Sequence, residues 1–349
     1  MNKKIYIKLL VCLIIISLII ANTGIWADTN NPLDIPEPIN EGTRLAEYTI
    51  ITISAAGDIT LGRDANASYT NSFDHELELQ KSNYSYFLEK VKPIFERDDL
   101  TIANLEAPFT TACDKAEKQF RFKAKPAYTE ILKQGSVEAV NLANNHIFDY
   151  LEKGYTDTVL QLTNSQIGYF GFEHQYITEV KGIKIALLGY TGWESSKQKK
   201  TEIKKAVDSL KEKGVSIIIV SFHWGEEKKY LPNAIQKDLG HYCIDIGCDL
   251  VLGHHPHVIQ GVEQYKGKSI VYSLGNFCFG GNKNPSDKDA YIYQHSFWFK
   301  ENVLDAEEGQ IIPISVSSVS HRNNYQPTPL QGVEAYRTMN KIRQYSMGL

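Results

Sequence analysis

The sequence contains few cysteines, with five among 349 residues. Secreted domains held together by a dense framework of disulfide bonds carry many more for their length, so this class is excluded. The chain also lacks an excess of positive charge, because its formal net charge is −4 and its isoelectric point is near 6.2. This balance disfavours a general nucleic-acid-binding protein, and we expect no nucleic acid among its partners.

Motifs of two common enzyme classes are also missing. The segment SAAGDITLGRD has neither the glycine spacing nor the Lys-Ser/Thr pair of a phosphate-binding P-loop. No G-x-S-x-G motif is present, and the serines of GWESS and YSLGN have no convincing base beside them. A P-loop enzyme and a serine or cysteine hydrolase are therefore disfavoured.

The apolar run at the N-terminus, from Leu9 to Ala21, is shorter than the ~20 residues that span a bilayer comfortably. It follows three lysines, and a basic region before a short apolar region predicts an export signal. We expect residues 1–27 to be a signal peptide or an uncleaved N-terminal membrane anchor. Residues 28–47 are polar and rich in proline and asparagine, and they predict a linker.

The rest of the chain is therefore expected outside the cytoplasm, at the outer face of the cell membrane or secreted. Loss of the three lysines before residue 28 would change its net charge from −4 to −7. Four cysteines remain in this part, and free thiols or one disulfide bond are both open. Cys243 and Cys248 are five positions apart on a predicted helix and are expected to point to different faces.

Beyond the linker, β-branched apolar runs alternate with stretches that have helical spacing. GIKIALLGYTG, VSIIIVSFHWG, CDLVLGHHPH and KSIVYSLGNF are almost continuously apolar, which is typical of strands buried on both faces. Two further segments predict hairpins that turn at Lys181-Gly182 and at Lys266-Gly267-Lys268. The alternation predicts an α/β fold with hairpin strands beside the main sheet.

Polar side chains stand at the ends of nearly all these strands. Ligands of open α/β sheets bind outside the carboxyl ends of the strands, so these side chains can converge on one site. A single polar strand end is usually only a solvated loop or a helix cap, but a repeated pattern favours a site. The residues concerned are Asp58, Asn104, Glu106, Asn144, Asn145, His146, His223, Glu226, His255, His257 and Asn276.

The densest cluster is GHHPH. Alternate side chains of an extended segment share a face, so His255 and His257 are predicted to reach one metal while His254 points away. Imidazole ligands suit Zn, Fe or Mn, and carboxylates widen that range. In NNHIFD, His146 can deliver a proton to a leaving oxygen, and Asp149 can orient its ring. The alternative for the NNHIFD cluster is a polar turn that opens a helix.

Taken in chain order, GDITLGR, ANLEAP, ANNHIFDY, HWGEE, GHHPH and YSLGNF resemble the CapA-type family of poly-γ-glutamate capsule synthesis proteins. The resemblance runs from about Ile51 to Phe279. That family is similar to the calcineurin-like metallophosphoesterases, which implies a β-sandwich core flanked by helices and a metal site at the C-terminal ends of the strands. The domain is expected over residues 48–320, with a C-terminal loop and helix at 321–349.

The resemblance also implies roles for individual residues. His146 would be the proton donor, and Asp149 is expected to act with it. Arg63, Asn104, Glu226 and Asn276 are expected to bind substrate or to line the rim of the site. The metal ligands would be Asp58, Glu106, Asn145, His223, His255 and His257.

Two positions depart from the metallophosphoesterase pattern. Thr60 stands where that group has the histidine of Asp-x-His, and Glu106 ends Asn-Leu-Glu where that group has Gly-Asp. One metal position therefore loses an imidazole. One metal, two metals of unequal affinity and no metal all stay open.

Two functions fit these observations. The first is a metal-dependent hydrolase that acts on a phosphoester or an amide of a cell-surface polymer. The second is a non-enzymatic component that binds or exports an anionic polymer such as poly-γ-glutamate, together with membrane-embedded capsule-synthesis proteins. The lysine-rich segment 195–205 could bind such a polymer, although a charge run is usually a solvated helix face.

Overall fold

The computed structural model describes residues 48–349, so the predicted leader and linker lie outside the described residues. Within that part, no helix is long and apolar enough to cross a membrane. The strands are Tyr48–Thr60 (β1), Arg63–Asp64 (β2), Leu100–Leu105 (β3), Phe122–Lys123 (β4), Ala139–Asn141 (β5), Gly168–Phe170 (β6), Tyr176–Val180 (β7), Ile183–Gly192 (β8), Ile217–Trp224 (β9), Leu250–His254 (β10), Val262–Tyr265 (β11), Lys268–Val271 (β12), Asn276–Phe279 (β13), Asp289–Lys300 (β14), Val303–Ser315 (β15) and Thr328–Pro329 (β16). The α-helices are Phe73–Leu79 (α1), Lys92–Phe95 (α2), Thr129–Gln134 (α3), Leu151–Asn164 (α4), Lys197–Glu212 (α5), Ala234–Asp245 (α6) and Gly332–Ser346 (α7), and 3₁₀ turns occupy Tyr84–Phe87 and Pro126–Tyr128.

The strands form two large sheets and one short ladder. The first sheet has the order β16-β15-β14-β1-β3-β5-β6, with β13 also paired to β1. The second has the order β11-β12-β10-β9-β8-β7, and β2 pairs only with β4. Strands β1, β3, β5 and β6 run parallel to one another, as do β8, β9, β10 and β12, so each sheet gathers several carboxyl ends at one edge.

The two large sheets pack face to face through alternate residues of their strands. On β8, Ile183, Ile185 and Leu187 join the core between the sheets, together with Ile53 of β1 and Ile102 of β3. Successive side chains of a strand point to opposite faces, so the intervening residues of β8 must be covered by something else.

Helices cover both outer faces. On the second sheet, Leu188 of β8 packs with Val207 of α5 and Leu239 of α6. On the first sheet, a separate core includes Leu77 of α1 and Leu162 of α4. The expected α/β architecture, a β-sandwich core flanked by helices, is therefore confirmed, and burial on both faces explains the continuous apolar runs.

Both predicted hairpins are present. β7 and β8 pair on either side of Lys181 and Gly182, whose φ angles are 51° and 82°. β11 and β12 pair on either side of Lys266 and Gly267, with φ angles of 51° and 79°. Two successive residues with positive φ match the twist of a tight hairpin, and glycine supplies the second at little cost.

The sequence predicts one strand over KSIVYSLGNF, but the structure divides this run into two strands. β12 ends at Val271 in the second sheet, whereas β13 begins at Asn276 and pairs with β1 in the first. The chain crosses between sheets at Gly275, which has a φ of 76°. A Cβ on Gly57 would lie 2.0 Å from the Gly275 carbonyl oxygen, so Gly57 permits this close crossing.

The prediction that Cys243 and Cys248 face different ways is wrong. Helix α6 ends at Asp245, so Cys248 is not part of it. The Cys248 amide donates to the Cys243 carbonyl at 3.0 Å, and the Cys248 thiol helps burial to raise the pKa of the Cys243 thiol. All four described cysteines are free thiols.

The C-terminal segment packs on the same body of structure. β16 pairs with β15, and helix α7 is fixed by two cations. Arg337 and Lys341 contact the carboxylate of Asp289 at 2.6 and 3.0 Å. This anchors α7 to the start of β14, close to the crossing point between the sheets.

Candidate metal centre

The carboxyl ends of the parallel strands bring the predicted residues to one place. In the first sheet, Asp58 is in register with Asn104 of β3 and with Asn276 of β13. In the second sheet, His254 of β10 is in register with His223 of β9. The crossing at Gly275 joins the two edges, since the Asp58 amide donates to the Gly275 carbonyl at 3.0 Å.

Asp58 lies at the bottom of the site and is fully buried. Its Oδ1 accepts from the Asn104 side chain at 2.8 Å, and its Oδ2 accepts from the His255 amide at 3.2 Å. The imidazole of His257 approaches to 3.3 Å through Nδ1, which also lies 3.0 Å from Asn276 Oδ1. Asp58 therefore connects both sheets at this edge.

The prediction that His254 points away from the site is wrong. Its Nδ1 lies 3.5 Å from Asp58 Oδ1, and its two ring nitrogens are buried without a hydrogen-bond partner among the described residues. The side chains do not alternate between two faces here because the chain is not extended after β10: the φ angles are 97° at His255 and 56° at His257. Positive φ at non-glycine residues costs energy, and such strain clusters at functional sites.

Glu106 stands at the centre of the cluster. Its Oε1 lies 3.4 Å from His223 Nε2, 3.8 Å from His257 Nε2 and 4.0 Å from His146 Nε2. Both carboxylate oxygens are fully buried, and within residues 48–349 neither accepts a hydrogen bond. One ligand atom each from Glu106, His255 and His257 lie within 4.8 Å of one another, as the ligands of a single ion would.

A divalent cation fits these residues. An unpartnered buried carboxylate is costly, whereas carboxylates and imidazoles together are ligands for Zn, Fe or Mn. The orphaned oxygens of Glu106 and the orphaned ring nitrogens of His254 are groups that a bound ion or its ligands would satisfy.

The two carboxyl groups have opposite pKa shifts. Burial raises the pKa of Glu106 well above its usual range, and the positive charge of His257 only partly offsets this. Burial would also raise the pKa of Asp58, but the adjacent imidazoles of His254 and His257 outweigh it and hold that pKa well below its usual range. Asp58 is the carboxylate that is already matched with positive charge.

The imidazoles also have opposite pKa shifts. Burial lowers the pKa of His223 well below its usual range and, with the charge of His257, lowers the pKa of His255 to about 4. These two rings are therefore neutral near pH 7, the form that binds a metal. Burial would lower the pKa of His257 too, but Glu106 and Asp58 raise it to about 9.

His146 and Asp149 form the pair that the sequence predicts. His146 Nδ1 lies 2.8 Å from Asp149 Oδ2, so Nε2 faces Glu106. The Phe122 amide donates to the same Asp149 oxygen at 2.6 Å and fixes it. Burial lowers the pKa of His146, and Asp149 acts in the opposite direction.

Lys118 supports the His146–Asp149 pair, and the sequence did not predict this role. Its Nζ donates to Asp149 Oδ1 at 2.6 Å and to the Asn145 carbonyl at 2.8 Å, and it lies 3.3 Å from His146 Nδ1. No local motif marks Lys118, because the loop before β4 reaches the site only through the tertiary fold.

The asparagines divide into one that faces the centre and others that support it. Asn145 is exposed, and its Oδ1 lies 2.7 Å from His223 Nε2.

The supporting asparagines are Asn144 and Asn104. Asn144 stabilises the turn before His146, since its Oδ1 accepts from the His146 amide at 3.0 Å and its Nδ2 donates to the Leu105 carbonyl at 2.8 Å. Asn104 is held by Asn141 and Asn144 and presents its amide to Asp58.

Aromatic rings surround the imidazoles. Trp193, directly after β8, has its ring centroid 4.7 Å from that of His255. Phe279 lies 4.7 Å from the His257 ring, and Phe122 lies 4.3 Å from the His146 ring. Trp193 remains 44% exposed, so it forms part of the rim, which the sequence did not predict.

Two residues expected to bind substrate or to line the rim have other surroundings. Arg63 is paired with Asp74 at 3.2 Å. Glu226 is exposed and lines a small separate cleft with Tyr230. Its neighbour Glu227 acts on the centre through its charge: burial raises the pKa of Glu106 and lowers that of His255, and the negative charge of Glu227 adds to the first shift and opposes the second. Two adjacent acids on one loop could not be told apart from the sequence.

The family described as "Bacterial capsule synthesis protein PGA_cap" matches residues 52–281. The chain belongs to this family. The matched range includes every residue of the candidate centre, from Asp58 to Asn276. The PGA_cap match thus covers both sheet edges and the crossing between them.

Two curated relatives cover most of the chain. One is "Capsule biosynthesis protein CapA" of Bacillus anthracis, which is 28% identical over 298 residues, 77% of this chain and 68% of that protein. The other is "PGA biosynthesis protein CapA" of Bacillus subtilis, 28% identical over 299 residues, 78% of this chain and 76% of that protein.

Solved structures give weaker similarities. A hypothetical protein from Thermus thermophilus has a TM-score of 0.47 and 16% identity, covering 75% of this chain and 99% of its own. A phosphatase from Mycoplasma pneumoniae has a TM-score of 0.44 and 15% identity, covering 76% of this chain and 94% of its own. Similarities at this level carry no argument about activity.

Proposed function

We propose that this PGA_cap protein is a metal-dependent hydrolase that acts outside the cytoplasm in poly-γ-glutamate capsule synthesis, on a phosphoester or an amide bond of an anionic cell-surface polymer. One observation carries the proposal. The Glu106 carboxylate is fully buried, has no hydrogen-bond partner within residues 48–349, and faces the imidazoles of His223, His257 and His146. Leaving a buried carboxylate without partners costs folding energy, and a cation held by the surrounding imidazoles would offset that cost.

The residues that would hold the cation carry oxygen or imidazole donors, and one ligand atom each from Glu106, His255 and His257 lies within 4.8 Å of the others. A bound Mn, Fe or Zn ion lowers the pKa of a coordinated water and polarises the bond to be broken. The holding residues would be Asp58, Glu106, Asn145, His223, His255 and His257.

His146 would exchange the proton with the leaving group. The Nδ1 atom of His146 lies 2.8 Å from Asp149 Oδ2, so Nε2 is the atom that would face the substrate. Because burial keeps the ring mostly neutral near pH 7, it can gain a proton and release it within one turnover. Asp149 is itself fixed by Lys118 and by the Phe122 amide, which limits the motion of the ring.

The capsule assignment rests on membership of the PGA_cap family and on the names of the two Bacillus relatives. The predicted export signal agrees with a polymer that is assembled at the cell surface. The proposed partners are the acidic polymer itself and membrane-embedded proteins of capsule synthesis.

Hydrolysis by the purified full chain tests the proposal. Phosphomonoesters, phosphodiesters and γ-glutamyl peptides are offered with and without added Mn²⁺, Fe²⁺ or Zn²⁺. We expect one class to be hydrolysed only when metal is present. His255→Ala should abolish this activity, whereas His321→Ala, which changes an exposed histidine outside the centre, should retain it.

A capsule assay separates this proposal from a role without catalysis. A strain that carries Asp58→Ala, His223→Ala and His255→Ala together should lose capsule output. Normal output from that strain, with normal amounts of the protein, would contradict a hydrolytic role and favour a polymer-binding component.

A further inference from the structure

The short β2–β4 ladder places two cations directly opposite each other. Arg63 and Lys123 are cross-strand partners in register. Like charges in directly opposed positions repel and destabilise a strand pair. An anion bound between the two charges would remove this repulsion.

A third cation joins them, and their acidic partners are too few. Arg63, Lys123 and Lys125 line a cleft of about 360 Å³ together with Asp74 and Tyr150, which we call the cationic cleft. Asp74 is the only carboxylate in its lining, and it contacts Arg63 at 3.2 Å and Lys125 at 3.7 Å. The cleft therefore keeps an excess of positive charge.

Lys123 is the cation without an acid. Within the described residues its Nζ donates to the Ala112 carbonyl at 3.0 Å and lies 4.4 Å from the centre of the Tyr150 ring, and it forms no ion pair. Lys125 is 67% exposed and so is free to reorient toward a ligand. Both ammonium groups can add a charge-assisted hydrogen bond to a carboxylate.

The cationic cleft adjoins the metal centre along two segments. Lys123 follows Phe122, whose ring packs on His146 and whose amide donates to Asp149. Tyr150, in the wall of the cleft, directly follows Asp149. Consecutive Cα atoms are about 3.8 Å apart, but successive side chains of a strand point to opposite faces, so an extended ligand in the cleft reaches His146 only by passing around the β2–β4 ladder.

We propose that the cationic cleft is a carboxylate-binding subsite that holds the acidic polymer while one of its bonds lies at the metal centre. The identity of the polymer rests on the proposed function, whereas the binding of carboxylates does not. A local subsite is needed because the chain as a whole is negative and does not attract a polyanion by its net charge.

The lysine-rich segment 195–205 is a poorer candidate for this role. Three of its lysines are neutralised by acids at 3.3 Å or less, in the pairs Lys199–Glu202, Lys200–Asp238 and Lys204–Asp208. Lys197 and Lys205 are exposed and form no ion pair within the described part of the chain. These two therefore supply a matched control.

The test measures binding of a short fluorescent γ-linked oligoglutamate to the purified full chain by anisotropy at low salt. The cleft variant is Lys123→Gln with Lys125→Gln, and the control is Lys197→Gln with Lys205→Gln, which removes the same charge from α5. We expect Kd to rise about tenfold or more in the cleft variant, because two charge-assisted contacts are lost, and to change less than about twofold in the control. The pair Lys123→Arg and Lys125→Arg should restore binding.

Four results of this titration would overturn the proposal, and a fifth comes from the His255→Ala variant below. The four are equal Kd values for the cleft variant and the native chain, an equal loss in the control, equal binding of an uncharged γ-linked oligoglutamine, and displacement of the oligomer by inorganic phosphate but not by unlabelled oligoglutamate. Melting temperatures of all variants show that they remain folded. Repeating the titration with His255→Ala separates the two proposals: retained binding supports the subsite even where metal-dependent hydrolysis is absent, and binding lost with the metal centre contradicts an independent subsite.

Discussion

Asp99 at the amino end of β3 and Glu106 just past its carboxyl end differ in how their carboxylates are paired. At the amino end of β3, Asp99 accepts from the Thr52 amide at 3.0 Å and from Lys181 at 2.8 Å. At the carboxyl end, the carboxylate of Glu106 is more deeply buried and accepts no hydrogen bond from the described residues. Only the first arrangement is explained by the needs of the fold.

This difference indicates where the molecule is built for a ligand. Buried polar groups in folded proteins are nearly always paired, and exceptions cluster at functional sites. Four of the seven unpaired buried side-chain atoms in residues 48–349 belong to Glu106 and His254, at the same edge as the positive φ angles of His255 and His257, and the other three are single atoms of Arg121, Ser221 and His295. At the amino-terminal edge, by contrast, Asp99 is paired by the Thr52 amide and by Lys181.

The largest expected effect concerns catalysis at the carboxyl edge. Replacing His146 with Gln removes the group that exchanges a proton and should reduce kcat by about 10²–10⁴-fold. Asp149→Asn, which only disturbs the orientation of the ring, should reduce it by about 10–100-fold. Both are measured as steady-state hydrolysis with the bound metal quantified, and His321→Gln is the control. Unchanged kcat in His146→Gln with metal still bound would exclude His146 as the proton donor.

The next prediction contrasts the stability of the two ends. In the presence of a chelator, Glu106→Met should raise the free energy of unfolding by about 1–3 kcal/mol, because it removes a buried group without partners. Asp99→Ala should lower it by about 1–3 kcal/mol, because it leaves the Thr52 amide unpaired. Urea unfolding of both variants gives the two signs.

With metal bound, Glu106→Met should be less stable than the native chain, the opposite of its effect in the chelator. A ligand that binds only the folded state stabilises it, so added metal should raise the stability of the native chain but not of Glu106→Met. Destabilisation by Glu106→Met in the chelator would show that Glu106 serves the fold, and the contrast between the two ends would then disappear.

The smallest expected effect is a pH dependence at the amino end. Burial raises the pKa of Asp98 to about 6, although Ser54 and Thr101 act against this. The folded state then holds a proton that the unfolded chain has released, so this contribution is present below about pH 4 and is lost as the pH rises through about 6. Asp98→Asn removes this dependence.

Unfolding free energies of the native chain and Asp98→Asn are therefore expected to differ more at pH 7 than at pH 4, by less than about 1 kcal/mol since the group is partly exposed. Asp114→Asn, which changes an exposed acid, should run parallel to the native chain. Parallel curves for Asp98→Asn would show that this carboxyl is solvated like an ordinary surface acid.

Local patterns predicted the parts of the structure that depend on local physics. The Lys-Gly turns and the doubly buried strands follow from backbone preference and from burial on both faces, so periodicity identifies them. The convergence of Asp58, His223 and His255 follows from a general property of parallel strands, whose carboxyl ends meet at one edge.

Other features depend on contacts between distant segments and could not be predicted from the sequence. The turn after His254 is held by a hydrogen bond from the His255 amide to Asp58, which joins segments almost 200 residues apart. An apolar run such as KSIVYSLGNF does not show which sheet each half joins. Lys118 and Trp193 come from loops whose position only the assembled sandwich determines.

The most direct test of the central claim is the metal content of the purified full chain, measured by elemental mass spectrometry after removal of loosely bound ions. We expect at least one equivalent of a divalent transition metal in the native chain and in His321→Ala. The affinity should fall by more than about tenfold when His255 and His257 are both replaced by alanine. A native chain that binds no such metal, or a double variant that binds as much as the native chain, would contradict a metal centre at this edge.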